Sequence, residues 1–335
     1  MGFSLNVKLY KCLCVFIVIL GLSCLKSFDA KSRENCLPFL PHGYNNFFVH
    51  LPKEKNFCVE TPDGKVFYST NANGARIIHS TKFDLSIHAF GESQLLEIFP
   101  VNNKPKHLLS YIYGDRKFLI HGAPNNGPNE TLAFINYIMS EKNKPPEEIV
   151  IGLNLGFDLF RIIPGWKTAD RVPYESNQIP FMMDYPKLFE IINVSKAFFT
   201  NKLEIVSPIN QIKKSRSYFK QRKVDIIAYF NYWLENIKKI KLENNINIDL
   251  IIYQPFWVYD IEHGSETLVL DKYFEKEVLE IFCNARNTYA NLFRNVFYFS
   301  FDKKMTAKEI FSFSYRHYKY RHPQIIKNNS ICENS

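Results

Sequence analysis

Apolar and polar positions change their period several times along this chain. "FDLSIHAF", Phe83 to Phe90, is a strand-like run that passes through Gly91 and Glu92 into Ser93–Phe99, where Leu95, Leu96 and Phe99 share one side of a helix. "KFLIHGAP", from Lys117, is a second strand, and its loop "NNGPNE" leads into the helical stretch "TLAFINYIMSEK". "EEIVIGLNL" predicts a third strand, "NIDLIIYQPFWVY" a fourth and "NVFYFSF" a last one. Between the third and fourth, Ser215 to Asn244 carries Ile226, Ile227, Phe230, Trp233, Leu234 and Ile237 close to a 3.6-residue period, the pattern of a long amphipathic helix. Leu270–Arg294 and Ala307–Tyr320 read as two further helices, and Lys327–Ser335 as a frayed end.

Strand alternating with helix predicts an α/β fold, a parallel sheet covered on both faces. Residues 31–335 form one such domain. The pattern lapses only from about 160 to 214, where "PGW", "RVPYES" and "IPFMMDYP" mark a loop-rich insertion, a candidate lid.

In sheets of this kind the chemistry sits in the loops at the carboxyl ends of the strands. Those loops are "FGES", "GAPNNGPNE", "LNLGFDLFR" and "FDKKMT". Ser93, after a strand and at a helix start, is either a nucleophile aided by backbone N–H groups or an ordinary N-cap. Asp158 and Arg161 either hold substrate or form a surface ion pair. Trp257, with Trp166, Tyr174 and Tyr259, either stacks on sugar rings or belongs to the core.

The amino end changes the expected compartment. Lys8 and Lys11 precede the uncharged "CLCVFIVILGLSCL", followed by a polar stretch, which is the build of a secretory signal peptide over residues 1–30. A retained anchor and a lipid-bearing Cys24 are the alternatives. Either way the expected location is secreted or periplasmic. Outside this leader the cysteines are Cys36, Cys58, Cys283 and Cys332, an even number that fits two disulfides. Sequence proximity favours Cys36 with Cys58 and Cys283 with Cys332, out of three possible pairings. None has the spacing of a metal site, and nothing in the sequence calls for a cofactor. The formal charge is +9, and the leader's Lys8, Lys11, Lys26 and Asp29 account for +2 of it, leaving +7. In an exported protein that balance suits acidic glycans or anionic membrane surfaces better than nucleic acid, although "KKSRSYFKQRK" also reads as a solvated helix face.

Six blocks, in order, carry a resemblance: "TNANGARI" at Thr70, "IHAFGES" at Ile87, "IHGAPNNG" at Ile120, "IVIGLNLGFD" at Ile149, "LIIYQPFWVYD" at Leu250 and "FSFDKKMT" at Phe299. Together they resemble the SGNH/GDSL hydrolase superfamily, most closely its exported polysaccharide O-acetyltransferase and acetylesterase branch, the alginate-acetylation type included. Asn71, Gly74 and Arg76 match the Asn-x-x-Gly-x-Arg segment of that branch, and the coverage runs from about Thr61 to about Tyr320.

The resemblance implies a three-layer, flavodoxin-like fold and acyl transfer on a cell-envelope or extracellular polysaccharide. Ser93 matches the nucleophile, with Glu92 where the family has Asp. The oxyanion hole would come from the backbone at Asn125 or Gly127 and, because Phe157 has no donor, from Asn154. Asp302 matches the residue that orients the base, but Met305 stands where the family has His. By location at the end of a strand, His121 is the best substitute; the alternative is a hydrogen-bonded core histidine. Without such an imidazole, Ser93 keeps the pKa of an ordinary alcohol. The second expectation is therefore a degenerate relative, a glycan-binding or assembly component of an export machine; the third is a purely structural secreted protein.

Overall fold

The computed structural model of the chain describes residues 36–37, 40–44, 47–61, 64–78, 86–96, 107–123, 126–141, 146–163, 208–254, 259–261, 267–289, 291–300, 305–306, 324–327 and 332. Five strands run parallel: β6 (Ser86–Gly91), β7 (Lys117–Gly122), β8 (Glu148–Asn154), β9 (Asn247–Tyr253) and β12 (Asn295–Ser300). In space they lie in the order β7-β6-β8-β9-β12. Two short antiparallel strands extend the sheet to seven, β5 (Arg76–Ile78) beside β7 and β14 (Gln324–Lys327) beside β12. The five parallel strands are those the apolar runs predict, whereas β14 forms in a stretch whose end reads as frayed.

Burial explains why these runs are strands. Every residue of β8 after Glu148 and of β9 after Asn247 is buried, so both read as nearly unbroken apolar segments, as expected for strands covered on both faces. Opposite faces carry different helices. Tyr113, at the end of α2 (Leu108–Tyr113), packs on Phe118 and Phe297. Phe134 of α3 (Pro128–Ser140) packs on Phe90 and His121, and Glu275 accepts a hydrogen bond from the Tyr298 hydroxyl. Side chains alternate along a strand, so Phe297 and Tyr298 face opposite ways. Glu275 belongs to α6 (Lys272–Thr288), which together with α3 covers the face opposite α2.

The long helix α5 (Pro208–Asn244) is bent at Arg222, whose φ of −114° and ψ of 15° leave helical values. It buries Ile226, Phe230, Trp233, Leu234 and Ile237 as its period predicts, but Ile227 is 38% exposed. The Trp233 indole N–H donates to Pro128 O at 3.0 Å, tying α5 to the start of α3. The predicted helix Leu270–Arg294 is shorter: its first residue belongs instead to β11 (Thr267–Leu270), which pairs with β10 (Tyr259–Ile261) and β13 (Met305–Thr306) in a small antiparallel sheet. The predicted helix 307–320, and all of the insertion except 160–163 and 208–214, lie outside the described residues.

The amino-terminal part forms two hairpins, β1 (Gly43–Tyr44) with β2 (Val49–His50) and β3 (Asn56–Thr61) with β4 (Gly64–Ser69). The disulfides join Cys36 to Cys58 and Cys283 to Cys332. The first holds Leu37 against β3, where Leu37 N donates to Cys58 O at 2.8 Å.

Candidate functional site

In the order 2-1-3-4-5 the chain's direction of travel reverses between β6 and β8, and such a reversal opens a crevice beyond the carboxyl ends of the two strands. The strands come close there: a Cβ on Gly91 would lie 3.0 Å from Gly152 O. β6 ends at Gly91, Glu92 follows, and Ser93 begins the short helix α1 (Ser93–Leu96). The Ser93 side chain lies outside the described residues.

Four polar side chains converge at this point. β8 ends at Asn154 and runs directly into α4 (Leu155–Arg161), so the predicted loop "LNLGFDLFR" is largely helix. The Asn154 amide Nδ2 donates to Glu92 Oε1 at 2.7 Å, and the Asn154 backbone N donates to Asp158 Oδ2 at 2.7 Å. One turn on, an Arg161 guanidinium nitrogen lies 3.5 Å from Glu92 Oε2 and 4.0 Å from Asp158 Oδ1. Glu92, Asn154 and Asp158 are each at most 5% exposed. A surface ion pair is therefore the wrong picture for Asp158 and Arg161; α4 starts at the end of a buried strand and turns both inward. Burial, and then the charge of Glu92, push the Asp158 carboxyl well above the usual carboxylate range, against the opposing pull of Arg161.

The loop after β7 closes the other side. Gly127 N–H donates to Glu130 Oε2 at 3.0 Å, the reciprocal contact of a helix start, and a Cβ on Gly127 would meet Arg161 Cβ at 3.0 Å. Asn126, a residue the sequence reading passes over, is 1% exposed and exchanges two bonds with the Val49 backbone, at 2.7 and 3.0 Å. It docks the amino-terminal hairpin on this loop. Asn125 lies outside the described residues.

His121 is not in this cluster. It sits in the layer under α3, stacked on Phe90 with ring centroids 4.6 Å apart, and its Nε2 is 3.0 Å from His88 Nδ1. Burial drives both rings towards the neutral form, His88 to about 4 and His121 well below the ordinary histidine value. Met305 lies on β13 opposite Leu268, with its side chain outside the described residues, as are Asp302 and Trp257 altogether. Among the described residues no group of three or more His, Cys, Asp or Glu side chains has the arrangement of a metal site.

The Asn71, Gly74 and Arg76 segment holds α1 in place. Asn71 Oδ1 accepts from Asn73 N and Ala75 N at 3.0 and 2.9 Å, and Gly74 takes a φ of 72°. The turn launches β5, and from its first residue Arg76 donates to Leu96 O, the last carbonyl of α1, while its guanidinium lies over Tyr68. The neighbouring carbonyl, Leu95 O, is bound by His107 Nε2 at 3.0 Å. His107 Nδ1 accepts from Leu109 N, so Nε2 carries the proton; burial lowers this imidazole to about 3. His107 is absent from the sequence reading, and its only signal there is its place immediately before the apolar run "LLSYIY".

No protein-family model matches the sequence, and a search of the curated proteins finds no match either.

Proposed function

We propose that the chain is an exported, three-layer SGNH-like domain that binds acylated polysaccharide at the crevice between β6 and β8 without hydrolysing it. One observation carries this reading. Of the groups that the resemblance assigns to the oxyanion hole, the two among the described residues donate to protein carboxylates instead, Gly127 N–H to Glu130 and Asn154 Nδ2 to Glu92. Donors spent on internal acceptors are not preorganised for a developing oxyanion. Met305 in place of the base points the same way, because an unassisted hydroxyl is a poor nucleophile. Two disulfides outside the leader support export, and the +7 balance supports a glycan with acidic groups.

A second reading, acyl transfer through Ser93, draws on the position of Gly91-Glu92-Ser93 at the carboxyl end of the first parallel strand. One pair of measurements separates the two. Wild type and Ser93→Ala are compared for hydrolysis of p-nitrophenyl acetate and acetylated xylan, and for binding of acetylated and deacetylated glycan by calorimetry. The binding reading expects identical background hydrolysis and retained binding in both proteins. Hydrolysis that disappears in Ser93→Ala establishes the enzyme instead, and absence of both activities removes both readings.

A further inference from the structure

The crevice wall formed by the loop after β7 is held from outside the sheet. Asn126 meets Val49 of β2 as a neighbouring strand would: its Oδ1 accepts from Val49 N at 2.7 Å, and its Nδ2 donates to Val49 O at 3.0 Å. A buried amide is costly to leave unpaired, so Asn126 and Val49 fix each other's place. The next residue, Gly127, lies against Arg161 of α4 and starts α3, where Thr131 N donates to Gly127 O at 2.9 Å. Whatever holds Val49 therefore also holds the first turn of α3 beside the crevice.

Val49 is held by a covalently closed loop. The Cys36–Cys58 bridge joins residues 22 apart, and both β1 and β2 lie between them. At the closed end, Leu37 N donates to Cys58 O and Glu60 N donates to Leu37 O, each at 2.8 Å. On the domain side, Phe48 stacks on Phe134 of α3 with ring centroids 3.9 Å apart, and Leu51 is fully buried. Beyond β2, the Thr70 hydroxyl donates to Pro52 O at 2.6 Å and accepts from Lys55 N at 3.0 Å. β1 and β2 pair over two residues each, too few to hold a hairpin by themselves in water. Their place comes from these attachments, and closing the loop reduces the chain entropy that undocking would release.

We propose that the Cys36–Cys58 loop is a buttress of the crevice, and that Asn126 is the positioning residue through which it acts. With Val49 seated on Asn126, Gly127 and the start of α3 are fixed against α4. Without that seat the wall gains freedom, and a ligand must order it on binding, which lowers affinity. The effect on affinity rests on the glycan-binding reading of the crevice; the effect on the order of the wall does not.

Amide hydrogen exchange without ligand and calorimetry with acetylated xylan test the two parts separately on the intact chain. Asn126→Ala is expected to raise exchange of the Gly127 and Thr131 amides at least about tenfold more than that of the β9 amides. Replacing Cys36 and Cys58 by Ser, which leaves Asn126 itself unchanged, is expected to open the same two amides and decides the matter if Asn126→Ala folds poorly. In both variants the Kd for acetylated xylan is expected to rise at least about fivefold. Val296→Ala, which thins the core at β12 away from the crevice, is the comparison. It should raise exchange of the two amides no more than that of β9 and leave the Kd within about twofold of wild type. The buttress is overturned if, in either variant, the two amides open no further than β9, or if Val296→Ala raises the Kd as much as Asn126→Ala does. A wild type that does not bind acetylated xylan removes the glycan reading, and the exchange result alone then decides the buttress.

Discussion

Asp249 and Arg294 form a two-pronged pair at the amino end of the sheet, Arg294 Nε 3.0 Å from Oδ1 and an Arg294 terminal nitrogen 2.7 Å from Oδ2. Asp249 is 0% exposed, and its oxygens also accept from the Tyr113 hydroxyl, Asn295 N and Asn295 Nδ2. Arg294 reaches Glu148 as well, so one guanidinium joins the starts of β8, β9 and β12. At this end of the sheet every carboxylate oxygen of Asp249 has a donor. At the other end Asp158 Oδ1 has none. The contrast separates a structural clasp from a site.

The clasp predicts a large cost for removing its centre. Asp249→Ala strands a guanidinium, a phenol and an amide that are wholly or partly buried, so the expected loss is about 3–5 kcal/mol in urea unfolding. Asp225→Ala, which breaks the half-exposed pair with Arg222, is expected to cost under about 0.5 kcal/mol. Similar losses at the two positions would show that the network carries no special weight.

The His88 and His121 pair predicts acid lability. Both rings titrate lower in the folded protein than the ordinary 6.5, His88 at about 4, so the unfolded chain binds more protons between those values. Their contribution is present above pH 6.5 and is lost as pH falls through that window. For His88 the gap corresponds to on the order of 3 kcal/mol. His121→Phe fits the same aromatic layer between Phe90 and Phe134 without a titrating group there. Unfolding measured at pH 7 and pH 4.5 should show a smaller acid loss in this variant, and an unchanged loss would exclude the pair as its source.

Gly74 and Gly114 separate two costs of adding a methyl group. Both have a left-handed φ, 72° and 67°, but a Cβ on Gly74 would lie 2.4 Å from Leu51 O, whereas Gly114 has open space. With a ψ of −151°, Gly114 lies in a region that glycine alone adopts readily, so Gly114→Ala is expected to cost about 1–3 kcal/mol from backbone conformation alone. Gly74→Ala adds a backbone collision and is expected to cost at least about 3 kcal/mol in the same measurement. Equal costs would mean that the turn at Asn71–Arg76 yields freely.

Much of the fold was legible because the five parallel strands are buried on both faces and therefore written as apolar runs. The edge strands were not. β5 and β14 have three and four residues, too short for a period to register, and each is defined by its neighbour in space. At the site, the Gly-Glu-Ser corner and Asn154 were legible from strand ends. The burial of Asp158 and Arg161 was not, because i,i+3 charges look the same on a surface helix as on one that begins at a buried strand. The signal was available in "IVIGLNLGFDLF", where Asn154 and Asp158 stand four apart inside an otherwise apolar run. Polar residues in such a run are buried, and buried polar groups find partners.

The two disulfides differ in what they enclose, and that sets the final prediction. Cys283–Cys332 spans 49 residues and Cys36–Cys58 spans 22. If the cross-link acts by restricting the unfolded chain, the longer loop contributes more, by about 0.7 kcal/mol. The longer bridge also returns the chain to α6 just after β14, which pairs with β12 from Phe297 to Ser300. Replacing Cys283 and Cys332 by Ser is therefore expected to lower stability by about 3–4 kcal/mol and to raise amide exchange across 324–327 and the facing edge of β12. Replacing Cys36 and Cys58 should cost slightly less and leave β14 protected. A smaller loss from the longer loop, or β14 exchange unchanged without its bridge, would mean that pairing with β12 holds the edge strand unaided.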